Sequence, residues 1–171
     1  MATAIAIALT EVDLLRQNAQ VTAEILRKNV AGITHEESMR QPQPAGNCLN
    51  WVVGHLVFVY DQILPMVGQQ PVFAKDELAR YGRGTAPLVS SDEAKDLGEL
   101  MKAWDEACTR YDAGLAALTP EHLDAKSGVS PRNNPNETVR SLLGLVSFHQ
   151  AYHTGQAGIL RRMAGRERAV A

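Results

Sequence analysis

Cysteine is scarce in this chain: Cys48 and Cys108 are the two present in 171 residues. They cannot build a disulfide framework, and their separation is not that of a CxxC metal pair. A reducing cytoplasm is therefore the expected compartment. An excess of either charge is also missing. Lysine and arginine number 17 against 19 aspartate and glutamate, a formal net charge of −2. That balance argues against a nucleic-acid binder, which needs a basic patch to neutralise phosphates. Long hydrophobic runs are lacking as well, since the apolar stretch nearest the start, Ala4 to Leu9, is far short of the roughly 20 residues that cross a bilayer. No cation precedes it, the first arginine being Arg16, so neither a signal peptide nor a membrane span is expected. Internal repeats, low-complexity tracts and alternating strand patterns do not occur either. What is present is 45% hydrophobic content. Over residues 1–171 that suffices for one globular domain burying roughly 70% of its unfolded surface.

Helical periodicity covers most of the chain. Thr10, followed by Glu11 and Asp13, supplies a cap and an acidic first turn, and Leu14, Leu15, Val21, Thr22, Ile25, Leu26 and Val30 recur at intervals of three and four, predicting a helix over 10–33. Thr34 with Glu37 forms a capping box before Pro42 and Pro44 break the pattern. A second helix, over 48–67 with Asn47 as its cap, places Cys48, Val52, His55, Val59, Gln62 and Met66 on one seam. Pro65 and Gly68 stop it. From Gly68 to Ser90 no period is sustained, apart from one short helix around 75–80. A connection this long suits a crossover between helices that run in the same direction. Ser90 with Glu93 then predicts a cap for a third helix over 91–118, with Leu97, Leu100, Met101, Trp104, Cys108, Tyr111 and Leu115 on its apolar face. After a polar stretch, 124–136, a fourth helix over 137–164 places Leu142, Val146, His149, His153, Gln156, Leu160 and Met163 on its seam. The fold class expected is all-α, a four-helix bundle with a long crossover between the second and third long helices.

Three histidines fall on inward seams. His149 and His153, four apart on a helix, differ by about 40° in direction and 6 Å in height and can aim at one atom. His55 holds the same kind of position on the second helix. Together they can supply three neutral nitrogens to a divalent ion, leaving one position open for water or substrate. The competing reading is three hydrogen-bonded core histidines in a plain bundle. It carries a cost, because an unpartnered buried imidazole loses on the order of 1–3 kcal/mol.

The segments Asn50-Trp51-Val52-Val53-Gly54-His55-Leu56 and Phe148-His149-Gln150-Ala151-Tyr152-His153-Thr154-Gly155-Gln156 resemble the two signatures of the DinB/YfiT-like family of metalloenzymes. The resemblance extends over the whole chain in length, helix order and long second connection. It implies a four-helix bundle of up-down-down-up topology, a divalent metal held by His55, His149 and His153, and a homodimer. It also implies a metal-dependent enzyme acting on a small-molecule substrate, since the family contains small-thiol-dependent transferases and isomerases as well as hydrolases working through metal hydroxide. Imidazole ligands suit zinc, nickel or iron, and a low-molecular-weight thiol is the cosubstrate in the transferase version. Many relatives carry Glu after the first histidine of the pair. Gln150 stands there in this chain and cannot act as a general base, which also excludes the HExxH zinc-protease chemistry.

Around this trio, Gln156 is expected to hydrogen-bond a metal-bound water, to orient a ligand, or to pair with a core group such as Gln62. Tyr152 is a hydrogen-bond or proton donor near the metal, or a packing residue. Asn50 caps the second helix or binds a loop. Trp51, Cys48 and Cys108 read as core, and His35 and His122 as solvated turn residues. Arg161, Arg162, Arg166 and Arg168 suit the C-terminal dipole of the fourth helix. The rival function is a non-catalytic metal-binding stress or interaction protein, in which the ion only ties two helices together.

Overall fold

Thr10 opens α1 (Glu11–Val30) with a reciprocal cap: its hydroxyl accepts from the Asp13 N–H while the Asp13 carboxylate accepts from the Thr10 N–H. The same device at Thr34 and Glu37 starts the one-turn α2 (His35–Ser38). At Thr138 and Ser141 it starts α6 (Val139–Met163). Between them lie α3 (Leu49–Ile63), α4 (Leu97–Ala116) and α5 (Pro120–Asp124). The computed structural model describes residues 9–170, so the apolar stretch from Ala4 lies outside the described residues except for Leu9. The described residues are all-helical, with no strand. One isolated antiparallel bridge joins Lys126 to Thr138. No described helix is long and apolar enough to cross a membrane.

Four long helices enclose one core. α1 packs on α4 and α6, and α3 packs on the same two helices. α3 is buried on nearly every side, from Leu49 to Val57 and again at Tyr60 and Ile63. Leu26, Leu56, Leu100, Leu115 and Leu143 are fully buried, each stabilising the fold by about 1.5–3 kcal/mol relative to exposure. Tyr60 meets both Trp104 and Tyr111 at ring-centroid distances of 4.8 Å. Gly114 lets α4 close on the 3-10 turn after α3, because a Cβ there would lie 2.5 Å from Val67 Cγ2.

Several boundaries differ from those expected. Cys48, not Asn47, is the cap residue of α3, and it makes no side-chain capping bond. Ser90 caps a separate 3-10 turn, Ser91–Glu93; α4 begins later, with the Asp96 carboxylate accepting from the N–H groups of Gly98 and Glu99. The short helix expected over 75–80 is a 3-10 turn at Ala79–Tyr81. α6 starts at its Thr138 cap because Glu137 is turned inward, its carboxylate taking Ser130 and Arg132. Arg161, in the last turn of α6 as expected, serves α1 as well. It donates to the carbonyls of Asn29 and Ala31, at the C-terminal end of α1, where a cation meets unpaired acceptors.

Candidate metal centre

The seam of α3 and one face of α6 bring His55, His149 and His153 together. One ligand nitrogen from each lies within 4.8 Å of the others, and the Nε2 atoms of His55 and His149 are 3.1 Å apart. A tetrahedral ion with bonds of about 2.0–2.1 Å sets its ligand nitrogens roughly 3.3 Å apart. The cluster can hold a metal ion.

What aims the rings is the connection between α3 and α4. The Tyr81 carbonyl oxygen, which can only accept, lies 2.7 Å from His55 Nδ1. His55 therefore carries its proton on Nδ1 and presents an Nε2 lone pair to the cluster. Tyr81 comes this close because residue 54 has no side chain; a Cβ on Gly54 would sit 2.2 Å from Tyr81 Cδ1. The Tyr81 hydroxyl donates to Asn50 Oδ1 at 3.0 Å and accepts from the Lys95 N–H at 2.8 Å. Asn50 Nδ2 in turn donates to the Lys95 carbonyl. Asn50 thus binds the loop and holds Tyr81, away from the imidazoles. Four residues beyond Tyr81, Thr85 Oγ1 accepts from Trp51 Nε1, and the Trp51 ring stacks on His55 at 4.5 Å and 11°.

On α6, Gln156 Oε1 lies 2.7 Å from His153 Nδ1, and Gln156 Nε2 donates to the Tyr152 hydroxyl. That orientation puts the His153 proton on Nδ1 and a second lone pair at Nε2. Tyr152 itself is half exposed, with its ring edge-on to His153 at 5.1 Å. Electrostatics favour the same state. Burial, with the neighbouring imidazoles second, pushes His149 and His153 down to about 4, and burial lowers His55 against the opposing pull of the Tyr81 carbonyl. Two rings present acceptors and His149 can donate to only one of them, so the trio alone leaves lone pairs without donors. A divalent cation would satisfy that donor set.

The cluster is open on one side. A cavity of about 1010 Å³ is lined by all three histidines together with Trp51, Tyr152 and Gln156. Other candidates lie elsewhere. Gln150 faces the opposite way, with Tyr60 Oη donating to its Oε1 at 2.6 Å and its Nε2 donating to the Ala19 carbonyl, away from the histidine cluster. Gln62 is exposed and does not meet Gln156. Cys48 is buried, with its thiol raised by burial, and burial pushes the half-buried Cys108 up to about 12, so neither is an activated nucleophile. His35 departs from its expected solvated turn: its Nδ1 accepts from the Leu97 N–H at the start of α4. His122 is exposed on α5. The residues not expected are Tyr81 and Thr85, and Trp51 in its role beside the site. For Trp51 the available signal was its spacing of four from His55, the same spacing that joins the α6 pair.

The sequence model of the DinB superfamily matches residues 18–157. Among solved structures, the crystal structure of a conserved protein from Enterococcus faecalis superposes with a TM-score of 0.70 at 16% identity, over 92% of this chain and 98% of that one. At that identity the likeness concerns the fold. No curated protein matches the chain.

Proposed function

This chain belongs to the DinB superfamily, and on that premise we propose that it is a divalent-metal-dependent enzyme acting on a small molecule, with His55, His149 and His153 as ligands. The observation that carries the reading is the pair of Nδ1 contacts, His55 to the Tyr81 carbonyl and His153 to Gln156 Oε1, beside a cavity that the trio itself lines. An ion bound there supplies Lewis acidity, lowering the pKa of a thiol or water at its open position. Of the two chemistries, small-thiol S-transfer is favoured over hydrolysis. No aspartate or glutamate lines the cavity among the described residues, so no carboxylate is at hand to move a proton for water. The chain's own part is to keep the imidazoles neutral, hold His55 through Tyr81, and shield the centre with Trp51. We also carry as proposals a single domain with up-down-down-up topology, a cytoplasmic location and a homodimer.

The test uses protein without a histidine tag, loaded with one equivalent of cobalt(II) and titrated with 2-mercaptoethanol, cysteine and glutathione. A sulfur-to-cobalt charge-transfer band with at least one thiol is the expected result. Stoichiometric cobalt whose spectrum no thiol changes would favour an ion that only ties α3 to α6. Failure to take up cobalt would leave three packed histidines.

A further inference from the structure

Two arginines share the cavity with the histidines, and they reach it from different connections. Arg83 comes from the segment between α3 and α4, and Arg132 from the segment between α5 and α6. Both segments are pinned. Tyr81 is held by Asn50 and Lys95 and Thr85 by Trp51, so Arg83 stands midway between two anchors, flanked by Gly82 and by Gly84 at φ +83°. Arg132 lies in a loop closed by the Lys126–Thr138 bridge and by Lys126 Nζ donating to the Pro135 carbonyl. Arg83 makes no ion pair among the described residues. Arg132 is half committed: its Nη2 reaches the buried Glu137 carboxylate at 3.1 Å while the side chain stays 55% exposed.

The charge balance of the cavity is one-sided. Three neutral imidazoles would leave the charge of a divalent ion uncompensated, two guanidinium groups add to it, and among the described residues no carboxylate lines the wall. The rest of the lining is largely apolar, with Leu145, Phe148, Ile159 and Met163 along α6. Arg83 and Arg132 are both exposed, at the mouth of the cavity, and a guanidinium with free N–H groups is matched by a planar carboxylate, which it can grip with two parallel bonds. With one guanidinium uncommitted and the other shared with Glu137, a monoanion suits the site better than a phosphate dianion.

We propose that the cavity takes a small organic acid, its carboxylate held by Arg83 with Arg132 as the lesser partner and its hydrocarbon part laid on the α6 wall. This rests on the reading of the cavity as the substrate site. Arg83 is thereby a specificity-determining residue: it selects anionic over neutral molecules of the same shape.

The full chain, with and without one equivalent of zinc, is titrated at pH 8 with octanoate, octan-1-ol and octylamine, following tryptophan fluorescence and calorimetry. Free histidine is neutral at that pH. Octanoate should bind about tenfold more tightly than octan-1-ol, and octylamine most weakly, in both forms. Arg83→Gln should bring octanoate most of the way down to the level of octan-1-ol without changing the alcohol. Arg132→Gln should have the smaller effect. Equal binding of acid and alcohol overturns the proposal. So does a preference for acid that survives Arg83→Gln but disappears without zinc, which would assign the carboxylate to the ion. If zinc fails to bind the histidines while the Arg83-dependent preference persists, the metal reading falls and the organic-acid reading stands.

Discussion

Two faces of α6 handle polar side chains in opposite ways. On the face toward α1 and α3, Gln150 is 1% exposed and fully engaged, accepting from Tyr60 and donating to the Ala19 carbonyl. A turn further on, the Thr154 carbonyl takes Asn29 Nδ2. On the face toward the cavity, His149 and His153 meet His55, and one donor from His149 cannot serve both of the other rings. One face spends its amides on holding helices in register, though Thr154 Oγ1 is left without a partner; the other gathers three imidazoles at a single point with too few protons for all their inward nitrogens. Buried polarity is ordinary where every bond is closed and informative where bonds are left open.

The sharpest break of this contrast is His149→Ala. Loss of one of three ligands should lower zinc affinity by more than about 100-fold. The metal-free protein should melt no lower than before, because a desolvated ring has been removed; competition with a chelator and thermal melts check both. Gly54→Ala comes next. The new Cβ would displace Tyr81, costing about 1–3 kcal/mol of stability by overpacking. Zinc affinity should fall about 10–100-fold as His55 loses its carbonyl partner. Gln150→Leu should do the reverse, destabilising the fold by about 1–3 kcal/mol through the orphaned Tyr60 hydroxyl and Ala19 carbonyl while zinc affinity stays unchanged. A shift in zinc affinity there would erase the division between the faces. The smallest effect is the pH response of the metal-free protein. His149 and His153 titrate at about 4 when folded, against about 6.5 when unfolded. The unfolded chain binds protons first, so stability is full above about 6.5 and declines as pH falls toward about 4. Melting at stepped pH should show this slope, flattened in His149→Ala.

Much of this was legible in the sequence. The four long helices and the seam positions of the three histidines follow from spacing alone, because periodicity reports which way a side chain points. The α6 seam was less accurate toward its end, where Met163 is 43% exposed. A strict heptad drifts by about 20° per repeat on a straight helix, so three repeats carry it off the core. On α3 the expected seam is buried at Val52 and His55 but exposed at Gln62, and α4, α6 and the Ala79–Tyr81 turn bury the other faces as well. Gln150 was readable as a departure from relatives but not as a residue facing away from the cluster. Tyr81 was invisible in principle: what positions His55 is a main-chain carbonyl, and every residue type carries one. Arg83 looked like any loop cation until the anchors on either side of it were in view.

The most direct measurement is the two-bond ¹⁵N–¹H spectrum of the histidine rings in tag-free protein, before and after one equivalent of zinc. The expected result is Nδ1–H tautomers at His55 and His153 without metal, then a joint shift of the three Nε2 resonances that saturates at one ion per chain, with His35 and His122 unmoved. An Nε2–H tautomer at His55, or a zinc response confined to one or two of the three rings, would contradict a shared centre.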